Sequence, residues 1–111
     1  MEIRQLDENF SVTGQITPDQ VPAIARAGFK SLICNRPDTE DGAVPHDDIE
    51  AAARQAGLEF RFIPVVSGAI NGDNVVDMSA ALKDLPRPTL AYCRTGGRCA
   101  NLYGLVQQAG A

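Results

Sequence analysis

Thr89-Leu90-Ala91-Tyr92-Cys93-Arg94-Thr95-Gly96-Gly97-Arg98-Cys99-Ala100-Asn101-Leu102 joins a short apolar run to a cysteine, a loop with two glycines and two arginines, and a stretch of helical spacing. Thr89 to Tyr92 predicts a buried strand, and a helix follows from about Arg98 through Leu102, Leu105 and Val106. Gly96 and Gly97 permit backbone dihedrals that aim successive N–H groups inward. The helix start adds unpaired N–H groups and the positive end of its dipole. Arg94 and Arg98 bring full charges, one of which can point to solvent. The expected result is a cup of donors around the Cys93 sulfur, which lowers a thiol pKa from about 8.5. A thiolate so held attacks an electrophile, and the cup retains the anionic group that forms. A cysteine that merely preceded a glycine turn would not call for two arginines beside it.

Working outward, strands alternate with helices along the whole chain. Phe10-Ser11-Val12-Thr13-Gly14 reads as the first strand. Thr17 as N-cap and Pro18 at the first helical position open a helix through Val21 and Ile24 to Gly28. Lys30 to Asn35 is the next strand, and Arg36-Pro37-Asp38-Thr39-Glu40-Asp41-Gly42 is a polar loop with turn chemistry. A helix over about His46 to Gln55, a strand over Phe60 to Val65, a loop at Ser67 to Gly72, and a helix from near Asp73 to about Leu85 follow. This alternation predicts an α/β fold: a small parallel sheet of four or five strands with helices on both faces. Ligands bind at the carboxyl ends of the strands in such sheets, where the loop after Tyr92 lies.

The bulk properties bound the function. A chain of 111 residues, 44% hydrophobic, suggests one domain over residues 1–111 with a real core. It reads either as a complete small protein or as one domain of a longer one. A net charge of −4 argues against general binding to nucleic acid or to an anionic membrane. The polar start Met1-Glu2-Ile3-Arg4-Gln5 and the want of a long apolar run point to the cytoplasm, where thiols stay reduced. Three cysteines, Cys34, Cys93 and Cys99, form neither a disulfide framework nor a zinc pattern. One histidine, His46, rules out a histidine-rich metal site, and no cofactor is expected.

Tyr92-Cys93-Arg94-Thr95-Gly96-Gly97-Arg98 followed by Ala100-Asn101-Leu102 resembles the phosphatase-like, or rhodanese-like, domain of the beta-lactamase hydrolase-like proteins. Ser11-Val12-Thr13-Gly14-Gln15-Ile16, Ile33-Cys34-Asn35-Arg36-Pro37-Asp38 and Ile63-Pro64-Val65 are similar to the same family, so the resemblance covers nearly the whole chain. It implies a fold like that of the dual-specificity tyrosine phosphatases. It also implies, in some members, a fused or neighbouring metallo-beta-lactamase-like persulfide dioxygenase. Phosphatase and sulfurtransferase activities both come with the resemblance.

Two features bear on that choice. Tyrosine phosphatases place five residues between cysteine and arginine. Here four separate Cys93 from Arg98, and Cys99 stands where the phosphatase arginine would. Related phosphatases also carry an aspartic acid just after a strand like Ile63-Pro64-Val65, to protonate the leaving oxygen. Val66-Ser67-Gly68 holds that place, and the next carboxylate, Asp73, reads first as a helix cap. Sulfane transfer needs no such acid, because sulfite or a thiolate leaves readily. The leading expectation is therefore a rhodanese-type sulfurtransferase passing sulfur from thiosulfate or glutathione persulfide through a Cys93 persulfide to a thiol or sulfite. The alternatives are a phosphatase acting through a Cys93 phosphocysteine, and a non-catalytic anion-binding or redox-sensing module.

On either enzymatic reading Cys93 and Arg98 are the catalytic pair, and Arg94, Thr95, Gly96, Gly97 and Arg36 bind substrate. Arg36 could equally pair with Asp38 or Asp41. Cys99 is an accessory candidate, either a resolving thiol or a small packing residue. Cys34 and Tyr92 read as core, and His46 as part of a surface cap region.

Overall fold

The structure, a computed structural model, describes residues 1–110. Its centre is a five-stranded sheet in the order β1-β2-β5-β3-β4: β1 Arg4–Asp7, β2 Phe10–Thr13, β3 Ser31–Cys34, β4 Glu59–Phe62 and β5 Thr89–Tyr92. β2, β5, β3 and β4 are mutually parallel. β2, β3 and β5 are buried along their whole length; β3 and β5 accordingly read mostly as apolar runs, whereas β2 alternates apolar Phe10 and Val12 with the buried polar Ser11 and Thr13.

β1 is a finding that the expected parallel sheet did not include. It pairs antiparallel with β2 at the sheet edge, Arg4 opposite Val12, with a register irregularity between Gln5 and Asp7. All four of its residues are exposed, so no apolar period marks it in the sequence. Its backbone pairing with β2 is what makes it a strand, and it forms the edge of the sheet.

Helices cover both faces. A 3-10 turn, Pro18–Gln20, leads into α1 Val21–Arg26, and the side chain of Gln20 accepts the Thr17 N–H at 3.0 Å. α2 His46–Gln55 lies on the same side. Their apolar residues Val21, Ile24, Ile49 and Ala53 pack on Leu32, Cys34, Leu90 and Tyr92. α3 Gly72–Asp84 and α4 Gly97–Gln108 cover the other face, where Met78, Ala81, Leu102 and Val106 meet Val12, Ile33, Ala91 and Cys93. The twofold alternation of side chains along β5 thus sends Tyr92 into one core and Cys93 into the other.

β5 is the central strand, flanked by β2 and β3. The chain crosses one face through α1 and α2 and returns across the other through α3. The carboxyl end of β5 therefore sits among the loops that follow β2, β3 and β4, which is where the candidate site forms. No described helix is long and apolar enough to cross a membrane.

Candidate active site around Cys93

Backbone bonds fix the nucleophile before any side chain contributes. The Cys93 N–H donates to the Thr13 carbonyl at 3.4 Å, and the Asn35 N–H donates to that of Tyr92 at 2.9 Å. Gly96 then takes a left-handed conformation, φ 92°, and serves as the N-cap of α4. A Cβ there would lie 3.3 Å from the Thr13 carbonyl group, so the turn needs a residue with none. Gly14 is required for a different reason: its own Cβ would stand 3.0 Å from the Arg94 carbonyl oxygen, where the two loops touch.

This turn aims the Gly96 N–H at the Cys93 sulfur, 3.1 Å away. The thiol is pulled down to about 5: the Cys99 thiol beside it is the largest influence, and the N–H groups of Cys99, Thr95 and Gly96 act in the same direction against the effect of burial. Cys99 is the third residue of α4, and the helix's own bonding starts with the Ala100 N–H on the Gly96 carbonyl, 3.0 Å. Its N–H is thus one of the unpaired groups of a helix start. Burial pushes the Cys99 thiol well above its ordinary value, so it remains S–H beside a thiolate at neutral pH. Cys93 itself is 1% exposed. Only a small or slender group can reach it.

Arg98 points its guanidinium away into a bracing network. Its Nη1 and Nη2 bond the Glu40 carboxylate at 2.8 and 3.2 Å, and Nη1 also donates to the Val65 carbonyl at 2.9 Å. Its Nε is buried without a partner. Arg36 meets the same Glu40 through Nε at 3.1 Å and donates to the Gln15 side chain at 3.1 Å and the Asp41 carbonyl at 2.6 Å. The carboxylate joins the loops after β3 and β5, and the two arginines it holds extend the network to Gln15 after β2 and Val65 after β4. Arg98 beside it, with Arg36, keeps Glu40 below the usual carboxylate range.

The residues named from the sequence separate into distinct places. Cys93, Thr95, Gly96 and Cys99 converge on the sulfur. Gly97 and Arg98 line an adjoining cleft of about 530 Å³ with Ser67, Gly68, Ile70 and Asn101. Arg94 is exposed, and its carbonyl accepts the Gln15 N–H. Arg36 is buried in the Glu40 network and does not line the cleft. Its partner is Glu40 rather than the expected Asp38 or Asp41 carboxylate. Asp38 instead receives the N–H and Nδ1 of His46, at 2.9 and 2.7 Å, where the imidazole stacks on Phe62.

Asp73 is exposed in the first turn of α3 and is not its cap. That role belongs to Asn71, whose side chain accepts the Asn74 N–H at 2.9 Å. Tyr92 and Cys34 are core residues, as expected, and burial raises the Cys34 thiol. The sequence reading missed Glu40. The available signal was a lone glutamate four residues after Arg36 in a loop otherwise made of turn formers.

The model of the beta-lactamase hydrolase-like protein, phosphatase-like domain, matches residues 2–111. The chain belongs to that family. The beta-lactamase hydrolase-like protein of Xylella fastidiosa (strain Temecula1 / ATCC 700964) is 35% identical over 108 residues, 96% of this chain and 25% of that protein. The domain thus spans about a quarter of the length of that curated relative. A crystal structure of a presumed phosphatase from Neisseria meningitidis is 35% identical, covers 100% of this chain and 80% of its own, and superposes with a TM-score of 0.88. The core catalytic domain of the PP-IP phosphatase SIW14 from S. cerevisiae, solved with citrate, shares the fold at 14% identity and a TM-score of 0.73, covering 96% of this chain and 64% of its own. The expected family and the phosphatase-like α/β fold are both borne out. These likenesses favour the phosphatase alternative over the sulfurtransferase reading that led on sequence grounds.

Proposed function

We propose that the domain is a cysteine-dependent phosphatase. The observation that carries this reading is the ring of N–H groups closing on an ionised Cys93 sulfur at the end of the central strand. The thiolate attacks phosphorus in line, and the ester oxygen leaves. Loop amides, freed from the sulfur as its charge passes to the phosphoryl group, hold the equatorial oxygens. Arg94, exposed at the loop, adds positive charge from the solvent side. Water then hydrolyses the phosphocysteine, and the thiolate returns. Arg98 supports the reaction by bracing the loop through Glu40 and Val65 and by forming part of the cleft wall. The reading is tested by hydrolysis of a generic aryl phosphate by the domain and by Cys93→Ser. Turnover by the former and none by the latter is expected; equal rates from the two would refute it.

A second reading, sulfane-sulfur transfer, is supported by one observation. The residues lining the cleft include no carboxylate, and Glu40, which faces Arg98, is held in its ionised form. A leaving oxygen thus finds no proton donor, whereas sulfite or a thiolate needs none. On that reading Cys93 accepts sulfur from thiosulfate or a thiol persulfide and passes it to a thiol or sulfite. The partner would be a persulfide-oxidising domain or protein. Incubation with thiosulfate or glutathione persulfide would then add one sulfur atom to Cys93 in the intact mass, and an unchanged mass would exclude it.

A further inference from the structure

Three thiols lie in this small domain, and the sheet sorts them. Cys34 ends β3 on the α1/α2 face, in the core with Tyr92 and Leu90. Cys93 and Cys99 share the opposite core, under α3 and α4. All three are reduced, and Cys93 and Cys99 are 1% and 0% exposed. Within their core, Cys93 and Cys99 belong to one buried cluster, and the Cys99 thiol and N–H are near enough to the Cys93 sulfur to favour its thiolate. Gly96 and Gly97 interrupt the seven residues 93–99 and leave the turn between the two sulfurs free of Cβ atoms at its midpoint. No cysteine of a second chain can approach either sulfur without unfolding.

We propose that Cys93 and Cys99 form an oxidative modification site in which Cys99 resolves an oxidised Cys93 as an intramolecular disulfide. The oxidant is a small peroxide. The Cys93 thiolate attacks one peroxide oxygen, the O–O bond breaks, and hydroxide leaves, giving a sulfenic acid. The Cys99 sulfur then attacks the sulfenic sulfur; the S–O bond breaks, and the Cys99 proton departs with the hydroxyl as water. Peroxide is reduced by two electrons overall, and the two thiols are oxidised to one disulfide. The product blocks the nucleophile reversibly and keeps it from the irreversible sulfinic state. Cys99 leaves its packed position at the start of α4 to make the bond, so the first helical turn loosens in the oxidised form. The proposal does not depend on which substrate the thiolate serves.

The test uses the full chain, reduced and then treated with one equivalent of hydrogen peroxide, followed by alkylation under denaturing conditions. Trypsin cuts after Arg94 and Arg98, so the two cysteines fall in different peptides and a bond between them links the pair. The expected result is a mass about 2 Da below the reduced chain, a Cys93–Cys99 linked peptide, alkylation confined to Cys34, and reversal by dithiothreitol. In Cys99→Ser and Cys99→Ala one equivalent adds about 16 Da at Cys93 as the sulfenate, and a second equivalent brings the gain to about 32 Da, irreversibly, as the sulfinate. The linked peptide in the wild type decides the matter even if those variants fold poorly. A disulfide to Cys34 or between chains overturns the proposal. So does a wild-type Cys93 that proceeds to the sulfinate as fast as it does in Cys99→Ser.

Discussion

Replacing Glu40 by glutamine probes the brace that holds the nucleophile loop. The carboxylate accepts three short N–H bonds, two from Arg98 and one from Arg36, on side chains 9% and 5% exposed. Glutamine keeps the size but removes the charge. It also turns an NH2 group toward guanidinium N–H groups, leaving two buried cations uncompensated. Breaking a buried pair costs about 3–5 kcal/mol, and because Glu40 is a quarter exposed the lower end applies, about 3 kcal/mol. For a domain of this size that lowers Tm by about 10–20 °C.

Urea unfolding followed by circular dichroism measures the difference directly, with an unchanged m-value as the control. The pH dependence supplies a second check. Glu40 is held below its ordinary carboxylate range when folded, so its contribution is complete above that range and disappears as pH falls through its folded-state pKa. The gap between wild type and Glu40→Gln therefore narrows on acidification and is widest at neutral pH. A loss under about 1 kcal/mol at pH 7, or a gap that widens as pH falls, would refute the role assigned to this carboxylate.

Three further outcomes follow from the site. In Cys99→Ala, Cys93 loses a donor to its thiolate worth about 1.5 kcal/mol, a tenfold change in ionisation, so thiolate absorbance at pH 5 falls from about half of its maximum to about a tenth; an unchanged titration would remove Cys99 from the cup. Gly96→Ala forces a side chain into a left-handed turn against Thr13, costing about 1–3 kcal/mol in urea unfolding and slowing alkylation of Cys93 by iodoacetamide at pH 6 as the Gly96 N–H leaves the sulfur; stability and alkylation equal to wild type would contradict it. Asp73→Asn leaves aryl phosphate hydrolysis within about twofold, since the residue is exposed and outside the cleft, whereas a loss of about a hundredfold would identify it as the missing acid.

Much of this molecule was legible without coordinates. α2 and β5 occupy the expected His46–Gln55 and Thr89–Tyr92, and α3 and α4 begin one residue before the positions expected for them. The N-cap of α3 was misplaced because Asn71 and Asp73 carry similar chemistry, and only the Asn74 side chain returning to the Asn71 N–H, at 3.0 Å, chooses between them. β1 was invisible because Arg4-Gln5-Leu6-Asp7 buries nothing and is a strand only by virtue of β2.

The residues of 89–102 alone determined that a strand delivers a cysteine into a donor-rich turn, because burial, glycine freedom and helix onset are properties of neighbouring residues. Tertiary structure alone decided which way the arginines face. Arg98 and Glu40 are 58 residues apart, and Arg98 shares that one carboxylate with Arg36, while Arg94 stays exposed. Only packing of β3 beside β5 brings their two loops close enough for this bidentate bond to form, because Coulomb attraction between such groups is weak across solvent and strong once they are in contact and partly buried.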